Sequence, residues 1–452
     1  MSKTIKLRKG FDINLIGKAD NKIAEVSQPE TFALKPEDYK GLQRPKLLIN
    51  EGDTVKAGTP IFHDKNNDQI MYCSPVSGKI TGIKRGEKRV IQEIQILADK
   101  EISYEKFEKF SVSELKNQSR EQLQSQMLKS GAWVNIIQRP YGVIANQDET
   151  PKSIFVSGFD SHPLAPDYGI IFKGQENYLQ AGFNVLKKFT DGFVHFNLRG
   201  NAEIPSVFSQ IKNVELNKVA GKHPAGNIGV QIHHIDPINK GDVVWTLNPW
   251  GVILIGKLFL EGKYDTSKIV ALAGSEVSNP QYYKTYAGAS IHPLIENNIN
   301  SDNVRYISGN VLTGNKIESK GYMGYYDHLI TVIPEGDKHE FLGWILPTIK
   351  KLSFHRAFGL LAKTSKEFNV TTNTNGEPRA FVQTGTFEKV TPMDIYPTHL
   401  LKAIIAEDFD DMEGLGIYEV IEEDLALCEF IDVSKHDIQS IVREGLDLIQ
   451  YS

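Results

Sequence analysis

Between Phe11 and about Ala98 the apolar positions fall in short runs: KLLIN, TPIF, QIMYC, GKITGI and VIQEIQIL, separated by EGD, KAG and PVSG. Short β-rich runs bounded by turn formers read as strands. The charged stretch DKEISYEKFEKFSVSELKNQS then reads as a linker, and SREQLQSQMLKSG as a helix. Ser119 and Gln122 are placed for a capping box, Leu123, Met127 and Leu128 share a face, and Gly131 can end the helix. From about Pro151 to Gly256 the strands KSIFVSG and DVVWTLN alternate with helical or polar segments such as ENYLQAGFNVLKKF. That alternation predicts an α/β layer with a mostly parallel sheet. Farther on, KIVALAG and VRYISGN read as strands and PLIENNI as a short helix. Leu400, Leu401, Ile404 and Ile405, and then Ile438, Ile441, Val442 and Leu446, recur at helical spacing near the C-terminus.

Composition limits what this framework can do. At 452 residues the chain is long enough for two to four domains, and its formal net charge of −5 gives no electrostatic support to nucleic-acid binding. MSKTIKLRKGFDI has no apolar core of the signal-peptide kind. The most apolar run, GVILIGKLFL, contains Lys257 and is short of the ~20 residues a membrane span needs. The two cysteines, Cys73 and Cys428, cannot ligate a four-cysteine iron–sulfur cluster. His233 and His234, with Asp236, suggest a metal. Read as a strand, however, that segment points adjacent side chains to opposite faces, and no metal site is expected.

The stretch EGDTVKAGTPIFHDKNNDQIMYCSPVSGKI resembles the lysine-bearing hairpin of lipoyl and biotinyl carrier domains. Gly52, Asp53, Val55 and Gly58 match the approach, Pro75 to Gly78 match the exit, and Asp64-Lys65 lies between. The loop DKNNDQIMYC looks longer than a carrier hairpin, and no Met flanks Lys65 as biotinyl sites require. An unmodified barrel-sandwich hybrid is therefore expected.

Together with KLRKGFDINLIG, IKRGEKRVIQEIQI, WVNIIQRPYG, HPAGNIGVQIHHIDPINKGDVVW and CEFIDVSKHDIQSIVREGL, this stretch identifies the chain as a member of the family of A subunits of sodium-translocating NADH:quinone oxidoreductases. The family is related to the NADH-oxidising subunit of complex I and to the C subunit of the Rnf complex. The resemblance implies a multidomain α/β plus β fold. A barrel-sandwich hybrid would span 1–100, a Rossmann-like α/β domain 101–256, a β-grasp (SLBB-like) module 257–330 and an α-rich region with a vestigial cluster-binding segment 331–452. It implies a peripheral subunit on the cytoplasmic face of the bacterial inner membrane, with five partner subunits, some integral to the membrane. That complex passes electrons from NADH through flavins and iron–sulfur to quinone and exports Na⁺.

The relatives' glycine-rich flavin loop corresponds here to Ala132–Tyr141, where bulky side chains replace the glycines that let backbone approach a phosphate. The acidic flavin and nicotinamide segment corresponds to Val156–Pro163 and carries little of the pattern. A cysteine triplet is reduced to Cys428. No tightly bound cofactor is therefore expected in this chain, flavins and iron–sulfur being left to the partners. Quinone is the expected ligand, whether ubiquinone or menaquinone, with Trp133, Arg139, Pro140 and Tyr141 as walls and donors and His223 as a further donor or proton relay. A purely structural scaffold is the other reading. In that reading Trp133 fills space and Arg139 pairs with an acidic neighbour. The tyrosines at 282, 283, 286, 322, 325 and 326 are expected to pack between domains or against a partner.

Overall fold

The computed structural model describes residues 3–24, 28–338, 341, 351–354, 367–381 and 385–451. The expected C-terminal region of 331–452 lies partly outside these residues.

The carrier-like module is two sheets face to face. One runs Thr31–Leu34, Ile91–Ala98, Gly78–Arg85, Thr54–Val55; the other runs Pro45–Leu47, Pro60–Asp64, Asn67–Cys73. Ile61, Val76, Ile80, Ile94 and Ile96 fill the space between them. The hairpin corrects one sequence expectation. DKNNDQIMYC is no long loop: Pro60–Asp64 and Asn67–Cys73 are joined by a two-residue turn, with exposed Lys65 at its tip. The tip is held down. Asp64 accepts from the amides of Gln43, Arg44 and Asn66, and Lys65 N donates to Arg44 O at 2.9 Å.

The central layer is a seven-stranded sheet in the order Thr4–Lys6, Glu215–Ala220, Val194–Arg199, Ser153–Ser157, Val244–Leu247, Ile137–Arg139, Val143–Ile144. The first five strands are parallel and the last two form an antiparallel edge. Strand alternation decides the faces. Ile154 and Val156 join the main core with Phe183 and Leu254, whereas Phe155 packs on the opposite side with Ile232 and Ile235. The run GVILIGKLFL lies in the helix Pro249–Glu261, buried along nearly its whole length. Among the described residues no helix is long and apolar enough to cross a membrane.

The third sheet runs Asn315–Ile317, Val304–Ser308, Leu329–Pro334, Ser267–Ala273, Gln281–Tyr286, Ile23–Ala24. The described C-terminal part is helical, at Pro397–Ile405, Phe409–Leu415, Glu422–Ile431 and Ile438–Tyr451. The expected tyrosine packing is present between modules. Tyr325 lies 5.2 Å from Tyr39 of the carrier-like module, and its hydroxyl accepts from Asn135 of the central layer. Tyr326 donates to Val134 O at 2.6 Å.

A second correction concerns His233 and His234. NIGVQIHHI is not a strand but the helix Ile228–Ile235. Ile228, Ile232 and Ile235 lie at helical spacing and bury one face, a pattern masked by the density of β-branched residues. Each histidine has its own partner: His233 Nδ1 bonds Glu419 and His234 Nε2 bonds Pro392 O at 2.7 Å.

Candidate functional site at the sheet edge

The loop expected to contact quinone begins where the helix Arg120–Ser130 stops. Ser119 accepts from Gln122 N, but the Gln122 side chain turns to Glu108 and leaves the capping box half made. Gly131 ends the helix at φ +82°, and a Cβ there would meet Cys73 Cβ at 2.9 Å. Only glycine allows both the left-handed turn and that approach. Ala132–Asn135 then form a 3₁₀ turn with all four side chains buried. Trp133 is fully enclosed. Its ring meets Trp245 at 5.4 Å and Phe189 at 5.7 Å, and Nε1 donates to Ala145 O at 2.8 Å.

Arg139 is also buried. Its two terminal nitrogens reach Asp424 at 2.7 Å and Glu423 at 3.0 Å, so the loop is pinned to the helix Glu422–Ile431. Gly229 makes room for this pair, since a Cβ there would collide with the Asp424 carboxylate. Pro140 is buried after a cis bond, and Tyr141, half-buried, accepts from Arg443 at 2.9 Å through its carbonyl. The structure therefore brings Trp133, Arg139, Pro140 and Tyr141 together as one packed unit. His223 lies in a different place.

A flavin does not fit this loop. The amides of Ile136, Gly142 and Ala145 are already bonded to Trp133, Gln138 and Ile136 carbonyls, and Trp133 fills the space beside them. The cysteines fit a cluster no better. Burial pushes the Cys428 thiol up to about 12, and its sulfur lies 3.2 Å from Thr391 Oγ1. Cys73 is buried in another module. Among the described residues no group of three or more His, Cys, Asp or Glu is placed to hold a metal.

The open site is a separate cavity in the same layer. The chain leaves Ser153–Ser157 for Val194–Arg199 on one side and later returns to Val244–Leu247 on the other. Crevices at such reversals, beyond the carboxyl ends of parallel strands, are where α/β sheets bind ligands. Here a cavity of about 620 Å³ lies over the Gly158–Tyr168 segment, closed by Asp12–Leu15 and the residues after Leu198.

Asp160 and His162 form a dyad on its wall, Oδ1 to Nδ1 at 2.6 Å, and the same oxygen accepts from His162 N at 2.7 Å. Burial alone would raise the Asp160 carboxyl, but the charge and hydrogen bonds of His162 hold it down at about 2. Burial opposes protonation of His162, yet Asp160 outweighs it and His162 is pushed up. His223 lies behind, its ring 4.7 Å from that of His162 and its Nδ1 3.0 Å from Ser161 Oγ. Burial first, then the charge on His162, pushes His223 down to about 3, so it is neutral. The Nε2 atoms of both rings are buried without a partner. The arrangement sets a carboxylate-backed imidazole at a cavity wall, with the carboxylate favouring its protonated form.

Sequence reasoning named His223 as a donor for the Ala132–Tyr141 loop and did not single out Asp160 and His162, beside which His223 lies. The available signal was D-S-H directly after a readable strand end.

A barrel-sandwich hybrid, an α/β layer and a mixed-sheet module, with the Ala132–Tyr141 loop packed shut, define a multi-module subunit architecture. Family models match three segments: residues 5–99 as the "NqrA N-terminal barrel-sandwich hybrid domain", 118–264 as the "NqrA second alpha/beta domain" and 269–319 as the "NQRA C-terminal domain". The chain is 38% identical over 99% of both chains to the A subunit of the Na(+)-translocating NADH-quinone reductase of Pasteurella multocida. It is 37% identical to that of Alcanivorax borkumensis and 38% to that of Histophilus somni, each over 99% of both chains. The chain belongs to the family of Na(+)-translocating NADH-quinone reductase A subunits.

Proposed function

We propose that this chain serves as the peripheral A subunit of a sodium-translocating NADH:quinone reductase, docked through partner subunits on the cytoplasmic face of the membrane. In this reading it carries no flavin or iron–sulfur group itself and contributes to quinone handling. The observation that carries membership is the identity of 38% over 99% of the chain. Support for the quinone role comes from the strand-end crevice: Phe159, Leu164 and Tyr168 supply apolar surface within a largely polar lining, which also holds the Asp160–His162 dyad. An imidazole N–H is matched to a quinone carbonyl, which accepts. Trp133, Arg139, Pro140 and Tyr141 are then the frame that keeps the layer rigid, and His223 fixes the dyad from behind.

The test is a complex rebuilt with His162→Gln. Intact assembly with slowed, less pH-sensitive quinone reduction supports the reading. Intact assembly with unchanged quinone kinetics leaves the chain a scaffold, the role favoured by its sealed loop.

A further inference from the structure

A second cavity, of about 260 Å³, lies where the central layer meets the third sheet. The residue after the short helix Tyr168–Ile171 and the buried helix Pro249–Glu261 form one wall; Ser267–Ala273, Gln281–Tyr286 and His328 form the other. Three polar atoms on this one lining are buried and have no partner: Thr285 Oγ1, His328 Nε2 and Gln175 Oε1. Thr285 is only 2% exposed. Buried polar groups are nearly always bonded, so three orphans around one cavity are an unusual concentration.

The hydrogen-bonding character of these atoms can be read. His328 Nδ1 lies 3.2 Å from Ile269 O, and a carbonyl only accepts, so Nδ1 carries the hydrogen. Burial, then the charge on Lys268, pushes His328 down to about 3, and the ring is neutral. Nε2 is therefore an acceptor, as is Gln175 Oε1, and Thr285 can take either part. Lys268 does not compete, since its ammonium is spent on Tyr325 O at 2.6 Å, Asp327 O at 3.0 Å and the Trp250 ring at 4.1 Å. Lys257 is likewise paired, with Asp265 at 2.7 Å. Apolar surface comes from Phe172, Ile253 and Trp250. Exposed Lys173 and Lys284 stand at the lining's edge, which contains no carboxylate among its described residues. A dry cavity of ~150 Å³ admits benzene, so this one has room for a single substituted ring.

We propose that this seam is a binding site for a small monocyclic anion bearing hydroxyl donors. Its hydroxyl would donate to His328 Nε2 and accept from Thr285 Oγ1, its ring would be held by the apolar wall, and its acidic group directed to Lys173 and Lys284. The site is separate from the strand-end crevice and does not depend on the quinone reading.

The test uses the purified full chain and calorimetric titration with 4-hydroxybenzoate, 4-methoxybenzoate and 4-hydroxybenzyl alcohol. Saturable binding of the first at one per chain is expected. The methoxy analogue, which cannot donate, should bind at least about tenfold more weakly, and the uncharged alcohol more weakly too. Thr285→Val and His328→Phe should each weaken the hydroxybenzoate about fivefold, as expected for one lost hydrogen bond. No saturable binding of the hydroxylated anion overturns the proposal, as does equal binding of the methoxy analogue. That analogue pair is read on the unaltered protein, so the outcome holds even where a variant folds poorly.

Discussion

The Ala132–Tyr141 loop and the Gly158–Tyr168 segment belong to the same central layer, and both hold residues that resemble site chemistry. In the loop the indole is enclosed and bonded to Ala145, while Arg139 is clamped by Asp424 and Glu423. In the strand-end segment the Asp160–His162 dyad stands on a cavity wall, with two imidazole nitrogens still unpaired. Residue type alone does not separate the two regions. What separates them is that the loop's charged side chains are ion-paired and sealed inside the core, whereas the dyad lines a cavity.

The largest expected effects test the loop as structure. Trp133→Ala should lower unfolding free energy by about 3–5 kcal/mol through the cavity it leaves. Arg139→Ala should cost a similar ~3–5 kcal/mol, because Asp424 is left buried without its counter-charge. Urea melts of the isolated chain read both, and a loss under 1 kcal/mol for either would break the comparison. Next is His162→Gln, expected to slow quinone reduction by the rebuilt complex about 10²-fold, the low end for a lost general acid.

Smaller again is the acid response. His223 and His328 are neutral when folded, with pKa values of about 3 against an unfolded value of about 6.5. Their folded pKa values are depressed, so unfolding takes up a proton at each below pH 6.5. Stability is full above that pH and falls toward pH 4 by up to about 1.4 kcal/mol per pH unit for each ring. His162 acts in the opposite sense: its contribution is present below 6.5 and lost as pH rises through its raised value. Urea melts from pH 7 to 4 should therefore slope downward, and His223→Asn should flatten the slope. The smallest effect is at Lys65. Its substitution by Gln should change stability by less than ~0.5 kcal/mol, and the intact mass of the native chain should show no adduct.

Much of the frame was legible from the apolar pattern, because the readable strands and helices bury residues at regular spacing. Val194–Arg199 and Glu215–Ala220 were not. One face of each carries buried polar residues: Asn217 and Asn197 bond side chain to side chain at 2.9 Å, with Asn197 passing on to Gln231 at 2.8 Å. A buried amide relay looks like surface when read one residue at a time. The hairpin at Lys65 was misjudged because Asn67, Asp68 and Gln69 look like loop residues, although they open a strand. Of the candidate site, His223 was placed by type, whereas Asp160–His162 is made by a turn that brings residues two apart into contact. The Arg139–Asp424 pair joins residues 285 apart, and only tertiary structure reveals it.

The first two dozen residues have a consequence for synthesis. Thr4–Lys6 closes the edge of the central sheet against Glu215–Ala220, and Ile23–Ala24 closes the third sheet against Gln281–Tyr286, before the chain enters the carrier-like module. The backbone amide of Lys3 also finds Asn217, 214 residues away. At ~5–20 residues per second, a ribosome takes roughly 10–40 s to deliver that partner. This segment, made well before its partners, is thus among the last to find its place. The carrier-like module can close early, while its own lead-in waits to act as a late clasp across two domains not yet made.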